Sequence, residues 1–443
     1  EYSDFVCRPS KVNALNTVHS ETLILNANGD WKVEKCPSWV TLSQTSGTGK
    51  TELRLTFSEL DHGVGNRADT IKFMMPAGGH RASCVVLQYD YQYEEDGCLT
   101  LQSHEKGNGI DIVFVGDGFD GEAISDGSYL KLVKEQVEYF FAVEPYRSHR
   151  AYFDVHVVFP LSQECGVNTM NTYVNNRFGT LYGYDGTICT TDMLITSVDE
   201  VFDYVVEYSP LESNKLSESL VILVPNDDAY DGNTIYSGDV ALSICPPSSH
   251  PYPQDTRGVI QHEAGGHGFG KLADESIVYS KWVPVSVKEI IGRYQSREWY
   301  QNVSLSSKFN NVPWADFIFD PRYSDQVDIY EGGCEYMRGV FRSEANSCMN
   351  YGIPYYNVIS RLEIMKRILR YAGEEFTMDY FYENDSFEWG DTDGATRSGT
   401  ANAYFTGTAY GASNSHVAPV MCDADEMGAS VRRIREELKN RVE

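Results

Sequence analysis

The chain has 443 residues, of which 42% are hydrophobic and 23% charged, a composition typical of a globular protein with two or three domains. Its formal net charge of −28 argues against a nucleic-acid partner, because such binding depends mainly on basic side chains that neutralise phosphates. No apolar run reaches the ~18 residues of a membrane-spanning helix, so we expect no transmembrane segment.

The first residue and the cysteines bear on the compartment of the protein. The chain begins at Glu1 rather than at a methionine, which is typical of a mature, trimmed chain. We therefore expect a secreted or cell-surface protein. The ten cysteines are scattered without a Cys-x-x-Cys pair, so both disulfides and buried free thiols are open alternatives.

Residues 1–95 are predicted to form an all-β sandwich. Short alternating runs between Gly, Asn and Ser turns are typical of its strands, and they occur at 22–25, 31–33, 53–57, 70–73 and 85–89. The phrases at 27–31, 38–42, 46–49 and 66–71 resemble a BACON-type module, which is proposed to hold glycans or mucin. That resemblance implies a glycan contact through Trp31 or Trp39. The alternative, which we favour, is a pair of core tryptophans.

Residues 96–443 are predicted to form a larger α/β domain with a mixed sheet. Apolar runs at 110–115, 155–159 and 220–224 predict buried strands, and helical apolar spacing at 128–143 and 198–208 predicts helices between them. Residues 239–244 are predicted to be an edge strand, to which an extended substrate would add as a further strand.

The stretch 262–275 contains the residue types of a catalytic zinc site. His262 and His267 offer imidazole ligands, and Glu263 can take a proton from water at the position that a catalytic zinc leaves open. The common zinc-peptidase helix has its histidines at i and i+4. Here they are at i and i+5, about 140° apart on an α-helix. We therefore expect a single π-bulge at Gly265 and Gly266 that returns both rings to one side.

A second motif follows about eighty residues later. Residues 346–352 read Asn-Ser-Cys-Met-Asn-Tyr-Gly, which is similar to the Met-turn of metzincin peptidases, with Met349 as its methionine. Together with the zinc stretch and the segment 110–119, this motif resembles the IgA peptidase family of the metzincin clan. The resemblance extends from about residue 96 to the C-terminus and implies a metzincin-like zinc peptidase domain.

The resemblance also implies further site residues. Metzincins have a glycine three residues after the second histidine, as Gly270 is here, and a third ligand that would fall near Ala273. Alanine cannot bind a metal, so we choose the next residue, Asp274, with Glu275 as the alternative. Tyr351 matches a tyrosine that ligates zinc or stabilises the oxyanion in some metzincins; the alternative is a packed turn residue.

These features predict a secreted zinc-dependent metallo-endopeptidase with Zn²⁺ as cofactor and Glu263 as general base. The expected partner is a protein or glycoprotein substrate. IgA and mucins are suggested by the resemblances alone. Two alternatives stay open: a glycan- or mucin-binding surface protein with a vestigial zinc site, and a zinc hydrolase that acts on something other than peptides.

Overall fold

The computed structural model describes residues 5–90, 97–183, 193–229, 232–388 and 424–442. Its N-terminal region is rich in β-structure, as the sequence predicts, and forms two sheets with strand orders β1-β3-β7-β5 and β2-β9-β8-β4-β6. The strands are β1 (Val6–Arg8), β2 (Lys11–Leu15), β3 (His19–Asn26), β4 (Asp30–Lys35), β5 (Val40–Leu42), β6 (Ser46–Thr48), β7 (Thr51–Phe57), β8 (Arg67–Met75) and β9 (His80–Tyr89). The predicted domain boundary at 95 and 96 lies outside the described residues.

Both tryptophans of the N-terminal region are engaged in packing. Trp31 is 2% exposed, and its Nε1–H donates to Thr51 Oγ1 at 3.2 Å. Its ring meets Phe73 edge-on, with 5.9 Å between the ring centroids. Trp39 is half-buried, and the Arg67 guanidinium lies 4.7 Å from the centroid of its ring. Trp31 is therefore a core residue, and a glycan platform on it is wrong because the ring has no exposed face.

The N-terminal region packs closely against the rest of the chain. The N–H of buried Asn13 donates to Gln163 Oε1 at 2.8 Å, its Nδ2 donates to Gln163 O at 2.8 Å, and Gln163 Nε2 donates to Asn13 O at 3.0 Å. Leu15 and Tyr89 join the core of the larger region. A side chain at Gly121 would collide with the ring of Tyr89. Polar and apolar contacts thus hold the two regions together.

A six-stranded mixed sheet forms the centre of the larger region, in the order β10-β12-β11-β16-β18-β17. Its inner strands β12, β11, β16 and β18 run parallel, and its outer strands β10 and β17 pair antiparallel to their neighbours. These six strands are β10 (Cys98–Gln102), β11 (Ile110–Asp117), β12 (Phe153–Val158), β16 (Leu220–Pro225), β17 (Asn233–Ser237) and β18 (Val240–Ile244). The predicted mixed α/β arrangement is therefore present.

The prediction that residues 239–244 form the sheet edge was wrong. Strand β18 lies between β16 and β17, so β17 is the outermost strand on this side of the described sheet. The chain reverses at Gly238, whose φ of +62 suits a tight turn, and Ser237 pairs with Val240. The sequence reasoning missed β17 because residues 233–237 contain a single aliphatic side chain, Ile235.

The helices cover both faces of the central sheet. They are α1 (Gly121–Ser125), α2 (Ser128–Phe140), α3 (Val198–Tyr208), α4 (Thr256–Ile260), α5 (Val285–Gln295), α6 (Ala315–Ile318), α7 (Cys348–Tyr351), α8 (Val358–Tyr371), α9 (Met378–Asn384) and α10 (Ala424–Val442), with a π-helix at Gln261–Phe269 and 3-10 turns at Arg150–Tyr152, Ser213–Glu218 and Phe309–Asn311. On β11, Ile112 and Phe114 face a core shared with α2, α8 and the π-helix. Val113 and Val115 face a second core shared with α3 and α10. The sheet is therefore buried on both sides, which explains the near-continuous apolar runs of its inner strands.

Two smaller sheets complete the fold. They have the orders β13-β14-β15 and β19-β22-β20, with β21 paired to β22. Their strands are β13 (Asn168–Thr169), β14 (Leu181–Tyr182), β15 (Met193–Leu194), β19 (Ile277–Trp282), β20 (Val303–Ser304), β21 (Tyr330–Gly333) and β22 (Glu335–Arg342). None of the helices in the described ranges combines the length and the apolar character that a membrane crossing needs. Each cysteine in these ranges is a free thiol.

Candidate metal centre

His262, Glu263 and His267 lie on a π-helix that continues directly from α4. Asp255 caps α4, its side chain accepting a hydrogen bond from the N–H of Gly258 at 3.2 Å. From Gln261 to Phe269 the helix has π geometry, as in the bond from the N–H of Gly270 to Gly265 O at 3.0 Å. Because π-helices bond i to i+5, residues five apart share one side. The predicted distortion is confirmed, but it extends over nine residues rather than one bulge.

Glycines allow other elements to approach this π-helix. A Cβ atom on Gly265 would collide with the hydroxyl of Tyr356, and one on Gly266 would collide with Met349 Sδ. Met349 is fully buried and belongs to α7, which packs against the π-helix. The two glycines therefore provide both the unusual helix and the close contact with the Met349 turn.

His262, His267 and Asp274 converge into one fully buried cluster. The two Nε2 atoms lie 3.1 Å apart. Asp274 Oδ1 lies 3.1 Å from His262 Nε2, and Asp274 Oδ2 lies 3.4 Å from His267 Nε2. Ligands bonded to one zinc at 2.0–2.1 Å in a tetrahedron are about 3.3 Å apart. Neither carboxylate oxygen accepts a hydrogen bond from another described group. The donor set and its spacing therefore fit a zinc ion.

Backbone carbonyls orient both imidazoles. The Nδ1 of His262 lies 3.0 Å from Cys348 O, and the Nδ1 of His267 lies 2.8 Å from Leu272 O. An Nδ1–H that donates to a carbonyl leaves Nε2 as the atom available to a metal. These two contacts therefore aim both Nε2 atoms at Asp274.

A positive charge beside Asp274 would stabilise the ionised form of this buried carboxylate. Burial by itself would lower the pKa of His262, but the Asp274 carboxylate raises that pKa to about 9. Burial likewise opposes ionisation of Asp274, yet the charges of His267 and His262 hold its pKa below the usual range. Either protonated imidazoles or a bound cation can supply this charge.

Glu263 is fully buried beside the cluster, and its Oε2 accepts a hydrogen bond from Thr234 Oγ1 at 2.9 Å. Thr234 lies on β17, so the outermost strand of the central sheet positions this carboxylate. Burial raises the pKa of Glu263 above its ordinary value. A carboxylate with a raised pKa is suited to accept a proton and then return it.

Glu275 has a different role from Asp274. Its Oε1 accepts hydrogen bonds from Asn302 Nδ2 at 2.9 Å and Asn357 Nδ2 at 2.6 Å, and its Oε2 accepts one from Ser347 Oγ at 2.6 Å. Its backbone N–H donates to Met349 O at 2.8 Å. Glu275 thus joins the segment that contains Asp274 to α7, to the start of α8 and to the loop before β20. Sequence reasoning missed this connection because its partners lie far away along the chain.

Backbone strain is concentrated around the segment 271–276. Within the described parts of the chain, five non-glycine residues have a positive φ, namely Lys271, Glu298, Tyr300, Cys334 and Glu335. The N–H of Cys334 donates to Asp274 O at 2.8 Å, that of Glu335 to Ser276 O at 3.0 Å, and that of Tyr300 to Lys271 O at 2.8 Å. Each such residue costs on the order of 1 kcal/mol, and such strain clusters at functional sites.

Lys271 is a further residue that the sequence reasoning missed. It is 3% exposed, and its Nζ lies 5.3 Å from the ring centroid of Tyr236 and 5.1 Å from that of Trp299. Burial lowers its pKa well below the ordinary value. The hydroxyl of Tyr236 in turn donates to His267 O at 3.0 Å. This aromatic enclosure supports the turn between the second histidine and Asp274.

Tyr351 ends α7 and is half-buried, with its N–H donating to Ser347 O at 3.2 Å. The helical turn is fixed by a capping box in which Ser347 and Asn350 bond each other's backbone. A role for the Tyr351 hydroxyl in catalysis stays a prediction.

One comparison with known proteins, the match to a family model, bears on the function of this chain. The family model described as IgA Peptidase M64 matches residues 99–321, about half of the chain. No curated protein matches. Solved structures with local similarity include a Bacteroides ovatus GH5 xyloglucanase in complex with a XXXG heptasaccharide (16% identity, 48% of this chain and 35% of that chain, TM-score 0.18). A second is WR4, a C. elegans MSP family member (15% identity, 20% of this chain and 98% of that chain, TM-score 0.17). A third is the Vibrio cholerae VesB protease (9% identity, 18% of this chain and 30% of that chain, TM-score 0.15). The chain thus spans about a third of the xyloglucanase, and these low TM-scores support no inference about fold or function. The family match, which contains both histidines, Glu263 and Asp274, shows that the chain belongs to the IgA peptidase M64 family of peptidases.

Proposed function

We propose that this protein is a secreted, zinc-dependent metallo-endopeptidase in which His262, His267 and Asp274 hold the zinc. The observation that carries the proposal is the buried cluster itself, with its three contacts of 3.1, 3.1 and 3.4 Å and with Nδ1 contacts that leave both Nε2 atoms available. Zinc bound there supplies a Lewis acid that lowers the pKa of water and polarises a carbonyl group.

Glu263 is the general base of the proposed reaction. Thr234 holds one carboxylate oxygen, and burial raises the pKa of the group, so Glu263 can accept a proton from the attacking water. It then returns that proton to the nitrogen of the leaving amine. Tyr351 is proposed to stabilise the oxyanion, on the strength of its place two residues after Met349.

The surrounding elements are proposed to act as a metzincin-like scaffold. Met349 packs under the π-helix, and α7 also supplies the Cys348 carbonyl that orients His262. We assign residues 96–443 to the catalytic domain and 1–95 to an accessory domain of BACON type. Strand β17 replaces β18 as the edge to which an extended substrate would add, since it carries Thr234 and is outermost in the described sheet.

The proposed substrates are extracellular proteins or glycoproteins, such as IgA or mucins. This choice rests on the family name and on the resemblance of the N-terminal region to glycan-holding modules. Endopeptidase activity on protein substrates is the more general part of the proposal.

A peptide-hydrolysis assay tests the proposal. Wild-type protein with zinc should cleave an internally quenched peptide library, a chelator should abolish cleavage, and added zinc should restore it. Glu263→Gln should lower turnover by about 10²–10⁴-fold, whereas Glu289→Gln, at an exposed position on α5, should leave it unchanged. Absence of cleavage by zinc-loaded wild-type protein would favour a binding protein with a vestigial site. Full turnover in Glu263→Gln would remove Glu263 as the base.

A further inference from the structure

A cavity of about 510 Å³ lies between the C-terminal half of α8 and the turn that follows α5. It is separate from the metal centre, and nothing in the proposed peptidase reaction uses it. Three cations, two carboxylates, two amides and one aromatic ring line it, namely Lys366, Arg367, Arg370, Glu298, Glu363, Gln295, Gln301 and Phe376. Its wall is therefore rich in charge, and the cavity opens to solvent beside the exposed side chains of Glu298 and Arg370.

Two of the three cations are already neutralised. Lys366 Nζ lies 2.7 Å from Glu363 Oε1, and Arg370 Nη1 lies 2.9 Å from Glu298 Oε2. Each carboxylate of the cavity wall thus has its own partner. The remaining cation is Arg367.

Arg367 is 4% exposed and has few partners for its charge. Its Nη1 donates to the hydroxyl of Tyr371 at 3.1 Å, and its Nη2 makes a long contact of 3.4 Å with the backbone O of Glu298. Its Nε has no hydrogen-bond partner among the described residues. Neither contact brings a negative charge, and a buried charge without one is costly. The side chain therefore has the charge to bind an anion, and the second N–H groups of Nη1 and Nη2 are the donors left for it, because Nε itself is closed to solvent.

We propose that this cavity binds a small monocarboxylate that carries an apolar body. The planar guanidinium of Arg367 matches the two oxygens of a carboxylate. Phe376 provides an apolar surface on the same cavity wall. Lys366 and Arg370 balance the charges of Glu363 and Glu298, so these two carboxylates repel a bound anion less than free carboxylates would.

The test is calorimetric titration of the full chain with sodium benzoate. Wild-type protein should bind with a Kd on the order of 1 mM, and the neutral isostere benzamide should bind at least about tenfold more weakly because it lacks the charge. Arg367→Met should abolish benzoate binding. The matched control Arg338→Met, which removes an exposed arginine on β22, should bind as the wild type does.

Phe376→Glu keeps the proposal testable if Arg367→Met does not fold. Phe376 is only partly buried, so the variant is expected to fold while placing a carboxylate in the cavity, and it should not bind benzoate. Equal affinity for benzoate and benzamide, binding unchanged in both cavity variants, or no saturation below about 50 mM would overturn the proposal. Inorganic phosphate that binds as tightly as benzoate would overturn the assignment to carboxylates.

Discussion

Met349 Sδ lies so close to Gly266 that it would overlap a Cβ atom placed on this glycine. The five-residue spacing of the histidines therefore depends on the same contact as the turn that carries Met349. The π-helix brings the imidazoles together, and its glycine lets α7 approach closely enough for Cys348 O to contact His262 Nδ1. A substitution at this contact should affect both the stability of the fold and the metal centre.

Gly266→Ala should lower the free energy of unfolding by about 1–3 kcal/mol, because the added methyl group overpacks the contact with Met349. Urea unfolding measures this change. Gly292→Ala is the matched control, since a Cβ atom there meets nothing within 4 Å on helix α5. It should stabilise the protein by about 0.4–1 kcal/mol. Similar effects of the two substitutions would contradict the proposed packing.

Asn302→Ala should weaken zinc binding by about 10–100-fold without removing a ligand. The Asn302 side chain bonds the N–H and the O of Ala273, both at 2.8 Å, and Glu275 Oε1 at 2.9 Å. It therefore fixes the segment that carries Asp274. Competition with a chelator gives the affinity, and exposed Asn311→Ala serves as control. An affinity within twofold of wild type would show that Asn302 does not position this segment.

Glu344 should make stability depend on pH. Burial raises its pKa from 4.5 to about 6, even though Tyr355 and Val358 donate hydrogen bonds to it. The folded state then holds this proton more tightly than the unfolded state, so stability falls as pH rises from about 4.5 to 6. The loss is about 2 kcal/mol, and Glu344→Gln should abolish it. If the unfolding free energies of wild type and variant changed with pH in the same way between pH 4 and pH 7, this assignment would be contradicted.

Gln163→Ala should lower the melting temperature of the whole molecule. The substitution removes the two hydrogen bonds that the Gln163 side chain makes with the N–H and the O of Asn13, and it leaves these buried backbone groups unpaired, at a cost of about 1–3 kcal/mol. Because Leu15 and Tyr89 belong to the main core, calorimetry should show one transition that shifts. Gln44→Ala, at an exposed site in the N-terminal region, should leave it in place. A separate N-terminal transition would contradict the close packing of the two regions.

Local patterns in the sequence predict much of this molecule. The apolar runs identify β11, β12 and β16, and the spacing of His262 and His267 with two glycines between them predicts π geometry. In each case the physical cause lies within a short segment, where apolar periodicity or backbone freedom can be read directly.

Contacts between distant segments account for what the sequence does not reveal. Glu275 binds side chains of residues 302, 347 and 357, and Lys271 lies against Tyr236 and Trp299. The place of β18 inside the sheet depends on the hairpin with β17, whose residues have little hydrophobic signal. None of these relationships has a periodicity or a spacing that a single sequence displays.

Bound zinc per chain, determined by mass spectrometry on zinc-replete protein, shows whether His262, His267 and Asp274 hold a metal. We expect about one zinc in the wild type and in Glu263→Gln, and its loss in His267→Ala and Asp274→Ala. Glu275→Ala should keep more zinc than Asp274→Ala, because the Glu275 carboxylate positions the ligand segment and does not bind the metal. Wild-type protein without zinc, or zinc retained equally in His267→Ala and Asp274→Ala, would contradict the proposal that these residues hold a catalytic metal.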